Sequence, residues 1–160
     1  EITIGDWSSD VCSSDLIMST EKTLIQPGRF VILLNGRHAG MKAIVLASYP
    51  EPTETRKYPH AVVLGIEKSP KKLTKNMPQE TLVKRTQVKC FVKTVNFNHM
   101  LLTRHVMKDD DFWGKVKADQ ILKAMEDPQQ KKAELENVSK ILRQKYLNGK
   151  MQWLFKPLKF

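Results

Sequence analysis

His99, His105, Cys90 and the run Asp109-Asp110-Asp111 are the side chains whose types could hold a metal or move a proton. Structural zinc sites take Cys and His ligands in closely spaced pairs. Two histidines and a lone cysteine within an apolar run do not supply such pairs. The aspartates could ligate magnesium through their carboxylates, but an acidic run ahead of a helical stretch more commonly caps that helix or offsets nearby positive charge. The chain has no G-x-x-x-x-G-K-S/T phosphate loop, no nucleophile elbow and no zinc-protease pair. We therefore expect no reaction, no cofactor and no small-molecule substrate.

Charge is the stronger signal. The chain carries 27 basic and 17 acidic residues, a net charge of +10. Four of the acids (Glu1, Asp6, Asp10, Asp15) and none of the bases fall in residues 1–17, so 27 bases and 13 acids remain from Met18 onward, a net +14 over 143 residues. Such a balance repels itself and favours a polyanionic partner. No apolar run approaches the roughly eighteen residues of a membrane-spanning helix, which leaves no integral membrane reading. Any single lysine among Lys68, Lys71, Lys72 and Lys75 reads as ordinary solvated surface; the sum of them does not.

The acidic opening breaks the composition abruptly. Asp6-Trp7-Ser8-Ser9-Asp10-Val11-Cys12-Ser13-Ser14-Asp15-Leu16 resembles one reading frame of a common sequencing adapter. We expect residues 1–17 to be a library artefact and Met18 the native start, in preference to an authentic acidic arm. A secretory signal would need a basic start and a continuous apolar stretch, and the segment has neither. With Cys12 set aside, Cys90 alone remains, which excludes an internal disulfide and suits a reducing compartment.

The elements that must position the basic groups follow from pattern. Arg29-Phe30-Val31-Ile32-Leu33-Leu34 is a short apolar run bounded by Pro27-Gly28 and Asn35-Gly36, as a buried strand would be. A second strand is expected over 41–48, a third over 60–66 and a later one over 88–95. Gly36 and Gly40 let the first connection take positive φ, leaving Arg37, His38 and Lys42 projecting at the loop. Residues 49–59 read as a polar loop. Residues 67–84, with Pro70, Pro78 and five lysines, read as a long solvated one, and Asn98, His99 and Arg104 fall in a loop after the last strand. Farther on, Ala118, Ile121, Leu122 and Met125 form a helical stripe. Asp127-Pro128 is a cap and first-turn proline, so a second helix is expected over 128–147 with Leu135, Val138, Leu142 and Tyr146 on its buried face and Asn148-Gly149 as its stop. The chain then closes on Trp153, Leu154, Phe155 and Phe160 interleaved with Lys150, Lys156 and Lys159. A terminus so rich in aromatics must be docked, because ordering it costs entropy that burial has to offset.

The apolar–Gly–basic–Gly–Lys–apolar order across 30–46 resembles the KOW motif, a strand–loop–strand unit of SH3-like barrels. A second resemblance, to a ribosomal protein family, extends from about Gln26 to the end of the chain. Gly149, Lys150, Trp153, Phe155, Leu158 and Phe160 match the closing signature of the eukaryotic-type large-subunit ribosomal protein L-twenty-seven family, with Met151 in place of its Asn, Leu154 of its middle Phe and Lys159 of its Arg. Tyr58-Pro59-His60-Ala61-Val62-Val63-Leu64-Gly65-Ile66 and Asn96-Phe97-Asn98-His99-Met100-Leu101-Leu102-Thr103-Arg104-His105 are similar to two further family segments, with Leu102 for Pro and His105 for Tyr as departures.

The resemblance implies a mainly β plus α fold: an SH3-like KOW barrel over 18–106, then a helical extension with a docked basic-aromatic tail over 107–160. It implies a structural constituent of the large (60S) subunit, cytoplasmic and assembled in the nucleolus, whose partners are ribosomal RNA and neighbouring ribosomal proteins. The competing class is a KOW-type protein-interaction or RNA-binding module of a transcription complex, for which a chain so basic from Met18 onward is a poor fit. Candidate RNA contacts are Arg37, His38, Lys42, Lys84, Arg85, Lys89, Lys93, Asn98, His99, Arg104, Lys150, Lys156 and Lys159. Lysine and arginine would position the protein on phosphates, while Asn98 and His99 would reach bases or 2′-hydroxyls. Trp153 is expected to pack internally rather than stack on a base.

Overall fold

The structure, a computed structural model, describes residues 24–107 and 110–158. Residues 1–17, Asp109, Lys159 and Phe160 lie outside the described residues, so the expectations placed on them stand as they were. Apolar runs with β-branched residues form β1 (Arg29–Leu33), β2 (Lys42–Tyr49), β3 (His60–Lys68), β4 (Lys89–Asn96) and β5 (Met100–Val106). They join in one antiparallel sheet of order β4-β3-β2-β1-β5.

β4 and β5 sit at opposite ends of that order, yet only one 3-10 turn, Phe97–His99, separates them in sequence. Four interstrand gaps in a flat sheet would span about 19 Å, whereas such a turn rises about 6 Å. The sheet must therefore curl until its edges approach, giving a barrel-like domain. Register shifts in β1 between Arg29 and Val31, in β2 between Val45 and Ala47, and in β3 between Ile66 and Lys68 provide bends.

Curling leaves the central strands buried on both faces. Val31, Leu33, Ala43, Val45, Ala61, Val63, Phe91, Val95 and Met100 fill the concave side. The alternate residues Phe30, Ile44, Leu46, Val62, Leu64, Ile66 and Val92 form a second core on the convex side. The helices cover that side: α1 (Gln79–Arg85), α2 (Asp110–Lys115), α3 (Ala118–Ala124), α4 (Pro128–Leu147) and α5 (Gln152–Phe155). Phe112, Val116, Ile121, Val138, Leu142, Leu154 and Phe155 close the core from the helical side.

Two expectations change. Part of the expected 67–84 loop is the helix α1, which buries none of its residues and so shows no apolar stripe for sequence reading to find. It is tied down instead by Lys71 N donating to Arg85 O (2.9 Å) and by Arg143 Nε donating to Thr86 Oγ1 (3.0 Å). The stretch after β4 is largely strand, so Arg104 lies on β5. By contrast α4 begins and ends where expected, although Asp127 stands at its N-cap without a side-chain cap bond. Between α4 and α5, Gly149 (φ 71°) and Met151 (φ 57°) take the left-handed conformation. Asn is the non-glycine residue best suited there; here Met151 holds it with its side chain packed against the convex core.

Candidate nucleic-acid interface

The β1–β2 connection is a tight turn held by Gly40 N donating to Leu33 O (2.7 Å) and Met41 N to His38 O (3.1 Å), with Gly36 at φ 86° and Gly40 at φ 77°. Arg37 is exposed at its tip. His38 is not. Its ring stacks on Phe91 at 3.8 Å between centroids and 8° between planes, and the residue is 6% exposed. Burial first, then the Arg37 and Lys93 charges, hold the imidazole below its ordinary pKa, with Glu67 opposing. His38 thus acts as a neutral plate over the barrel interior, correcting the expectation that it projects.

Lys42 is the larger correction. It is 7% exposed, and its ammonium donates to Trp153 O (2.5 Å) and Lys156 O (2.7 Å) while lying 4.0 Å from the centre of the Trp153 ring. Burial, and secondarily Lys156, lower its pKa from the ordinary lysine value. Two carbonyls at the end of α5 and an aromatic face replace the water that a cation loses here. The side chain fastens the tail instead of facing solvent. Trp153 meets Phe30 edge-on at 5.7 Å and His105 at 4.5 Å, and Phe155 meets Tyr146 at 5.3 Å. Both tail aromatics are packed, as expected, with Trp153 half-buried and Phe155 buried.

The remaining candidates are spread over several elements. Lys84 is exposed on α1, while Arg85 is half-buried and donates from Nη1 to Lys72 O (3.2 Å). Lys89 and Lys93 are exposed on β4, and Arg104 on β5. Asn98 and His99 are exposed in the 3-10 turn, which Asn96 Oδ1 holds by accepting from Asn98 N (3.0 Å). Lys156 is exposed, as is Lys150, whose ammonium lies 3.9 Å from Asp111. The structure brings Arg37, His38 and Lys93 together along one groove and does not bring them to the tail lysines. Lys131 of α4 lines the same groove and was missed by sequence reading. Its signal was present: it stands four residues before Leu135 and so borders the apolar stripe.

Burial pushes the Cys90 thiol up to about 12, so it stays protonated and is a poor nucleophile or metal ligand near neutral pH. Asp111 lies 3.7 Å from the buried Lys145 ammonium, offsetting positive charge. Among the described residues no three His, Cys, Asp or Glu side chains cluster to hold a metal ion, and no helix is long and apolar enough to cross a membrane.

Comparison with known proteins adds an independent finding. The model of the ribosomal L27e protein family matches residues 30–160. The chain is 35% identical over 137 residues to the large ribosomal subunit protein eL27A of Schizosaccharomyces pombe, covering 86% of this chain and 98% of the relative. It is 38% identical over 136 residues to the eL27 proteins of Pyrobotrys stellatus and Candida albicans, covering 85% of this chain and 97% of each.

Proposed function

The chain belongs to the ribosomal L27e protein family, and on that premise we propose that it is a structural constituent of the large (60S) ribosomal subunit, binding ribosomal RNA and supporting translation. The observation that carries this reading is the match across nearly all of the described fold, from β1 to the tail. The charge agrees with it: +14 from Met18 onward opposes compaction unless phosphate neutralises it, and displaced counterions supply affinity that does not depend on base sequence.

In this reading the barrel-like sheet of residues 29–106 is an SH3-like KOW barrel, supported by the short link between its edge strands and the two-glycine turn at 36–40. The helical extension over 107–160 is a brace that covers the convex core and carries the docked tail. The protein catalyses no reaction and has no cofactor. It works in the cytoplasmic ribosome after nucleolar assembly, wedged between RNA segments and neighbouring ribosomal proteins. Arg37, Lys84, Lys89, Lys93, Arg104, Lys150 and Lys156 bind phosphates; Asn98 and His99, exposed on a stiff turn, are placed for bases or 2′-hydroxyls. His38 and Lys42 contribute by holding the turn and the tail.

Sedimentation tests this directly. Tagged protein in a cell extract is expected to co-migrate with free large subunits and with polysomes on a sucrose gradient. It should be absent from free small subunits. Migration with transcription complexes, or as free protein at the top of the gradient, contradicts the reading.

A further inference from the structure

Three elements deliver unpaired cations to the groove between β4 and the first half of α4. Arg37 from the β1–β2 turn, Lys93 from β4 and Lys131 from α4 line one cavity of about 560 Å³, with Leu135 and the His38–Phe91 stack as its walls. Lys93 leans toward the turn, its ammonium so close to Gly36 that an added Cβ there would lie 3.3 Å away. None of the three cations has an ion-pair partner among the described residues. An adjoining cavity continues the seam along the same strand and helix, and Lys89, Lys132, Glu67 and Glu136 are among the residues that line it.

Three cations around one concavity outweigh the Glu67 carboxylate that also acts on His38, and such an excess of positive charge favours an anionic occupant. A single group with several acceptor oxygens relieves it best. Arginine's fork suits two oxygens of a phosphate, and the ammonium groups act as point charges beside it. Carboxylates of an acidic peptide, spaced along their own chain, match one concavity less well. We propose that this groove is a phosphodiester clamp, in which Arg37, Lys93 and Lys131 grip one backbone phosphate of a single-stranded or bulged RNA segment while its sugar lies against Leu135. The proposal rests on the ribosomal-RNA reading above and narrows it to one seam and to a residue of α4.

The His38 ring supplies a local reporter. Arg37 and Lys93 act to lower its pKa and Glu67 to raise it, so a phosphate bound beside them must move it upward. The experiment follows the His38 ring signals by NMR in the full chain, titrated with single-stranded uridine octamer RNA and, separately, with polyglutamate. Expected with RNA are shifted His38 signals and a raised titration midpoint. Lys93→Gln and Lys131→Gln should each abolish that response while melting as wild type does. With large-subunit ribosomal RNA, each should also lower the salt slope of binding by about 0.7, the loss for one phosphate contact on a single strand. Unmoved His38 signals, with wild-type salt slopes in both variants, would overturn the clamp and leave the RNA reading standing. A stronger response to polyglutamate than to RNA would make the groove a site for acidic protein and overturn it too. Failure of the wild type to bind large-subunit RNA would remove the reading on which the clamp rests, and the clamp with it.

Discussion

Lys42→Glu is expected to detach the C-terminal segment and to cost about 4–7 kcal/mol, since two charge-assisted hydrogen bonds contribute about 1.5–3 kcal/mol each and a cation over a ring about 1 kcal/mol more. The substituted carboxylate would face the carbonyls of Trp153 and Lys156, which repel it. Leu154 and Phe155 seat α5 in the convex core, so loosening the end of α5 also weakens their burial. Lys42→Met, which keeps the stem but not the donors, should lose roughly half as much. Thermal melting reads the loss, and hydrogen exchange at residues 153–156 locates it. Wild-type melting together with wild-type protection of those amides would show that the tail holds without Lys42. Arg37→Glu, at an exposed tip, should leave melting nearly unchanged.

Gly65→Ala is expected to destabilise by about 2–3 kcal/mol, the usual range for overfilling a packed core. In an unconstrained strand the same change would stabilise by roughly 0.5–1 kcal/mol, because alanine loses less backbone freedom than glycine. Sterics reverse the sign. Gly65 is the cross-strand partner of Phe91, and a Cβ built on it falls inside contact distance of the far end of that ring. The ring has little room to retreat because His38 stacks on its face. Phe91→Leu should therefore rescue Gly65→Ala in a double-mutant cycle, with a coupling of about 1 kcal/mol or more. A Gly65→Ala protein melting at or above wild type would show that the ring moves freely and that the stack is not a constraint.

Local pattern made most of the architecture legible. The first four strands and α4 announce themselves through apolar runs or a helical stripe between turn residues, and their observed limits fall within a residue or two of those read from sequence. β5 was obscured because Asn96, Asn98 and His99 read as a loop, although Met100 to Val106 continue the sheet past a single turn. α1 was obscured because a short helix with no fully buried residue leaves no apolar stripe. The basic surface was legible as a sum but not residue by residue. A lysine opening a strand is ordinarily solvated, and only the return of the chain 111 and 114 residues later places carbonyls over Lys42. His38 is parallel: a turn histidine reads as exposed until β4 brings Phe91 beneath it. Such long-range pairings, like the meeting of Arg37, Lys93 and Lys131, are products of tertiary packing and have no local signature.

Whether this chain sits on ribosomal RNA is read from a density map of the large ribosomal subunit purified from cells making the protein. Expected are the chain within the subunit, its sheet and α4 against RNA, phosphates within hydrogen-bond reach of Arg37 and Lys93, and the Lys42 ammonium under the carbonyls of Trp153 and Lys156, away from RNA. A subunit map lacking the chain, or one in which the β4–α4 face meets only protein while Lys42 contacts phosphate, would contradict that placement.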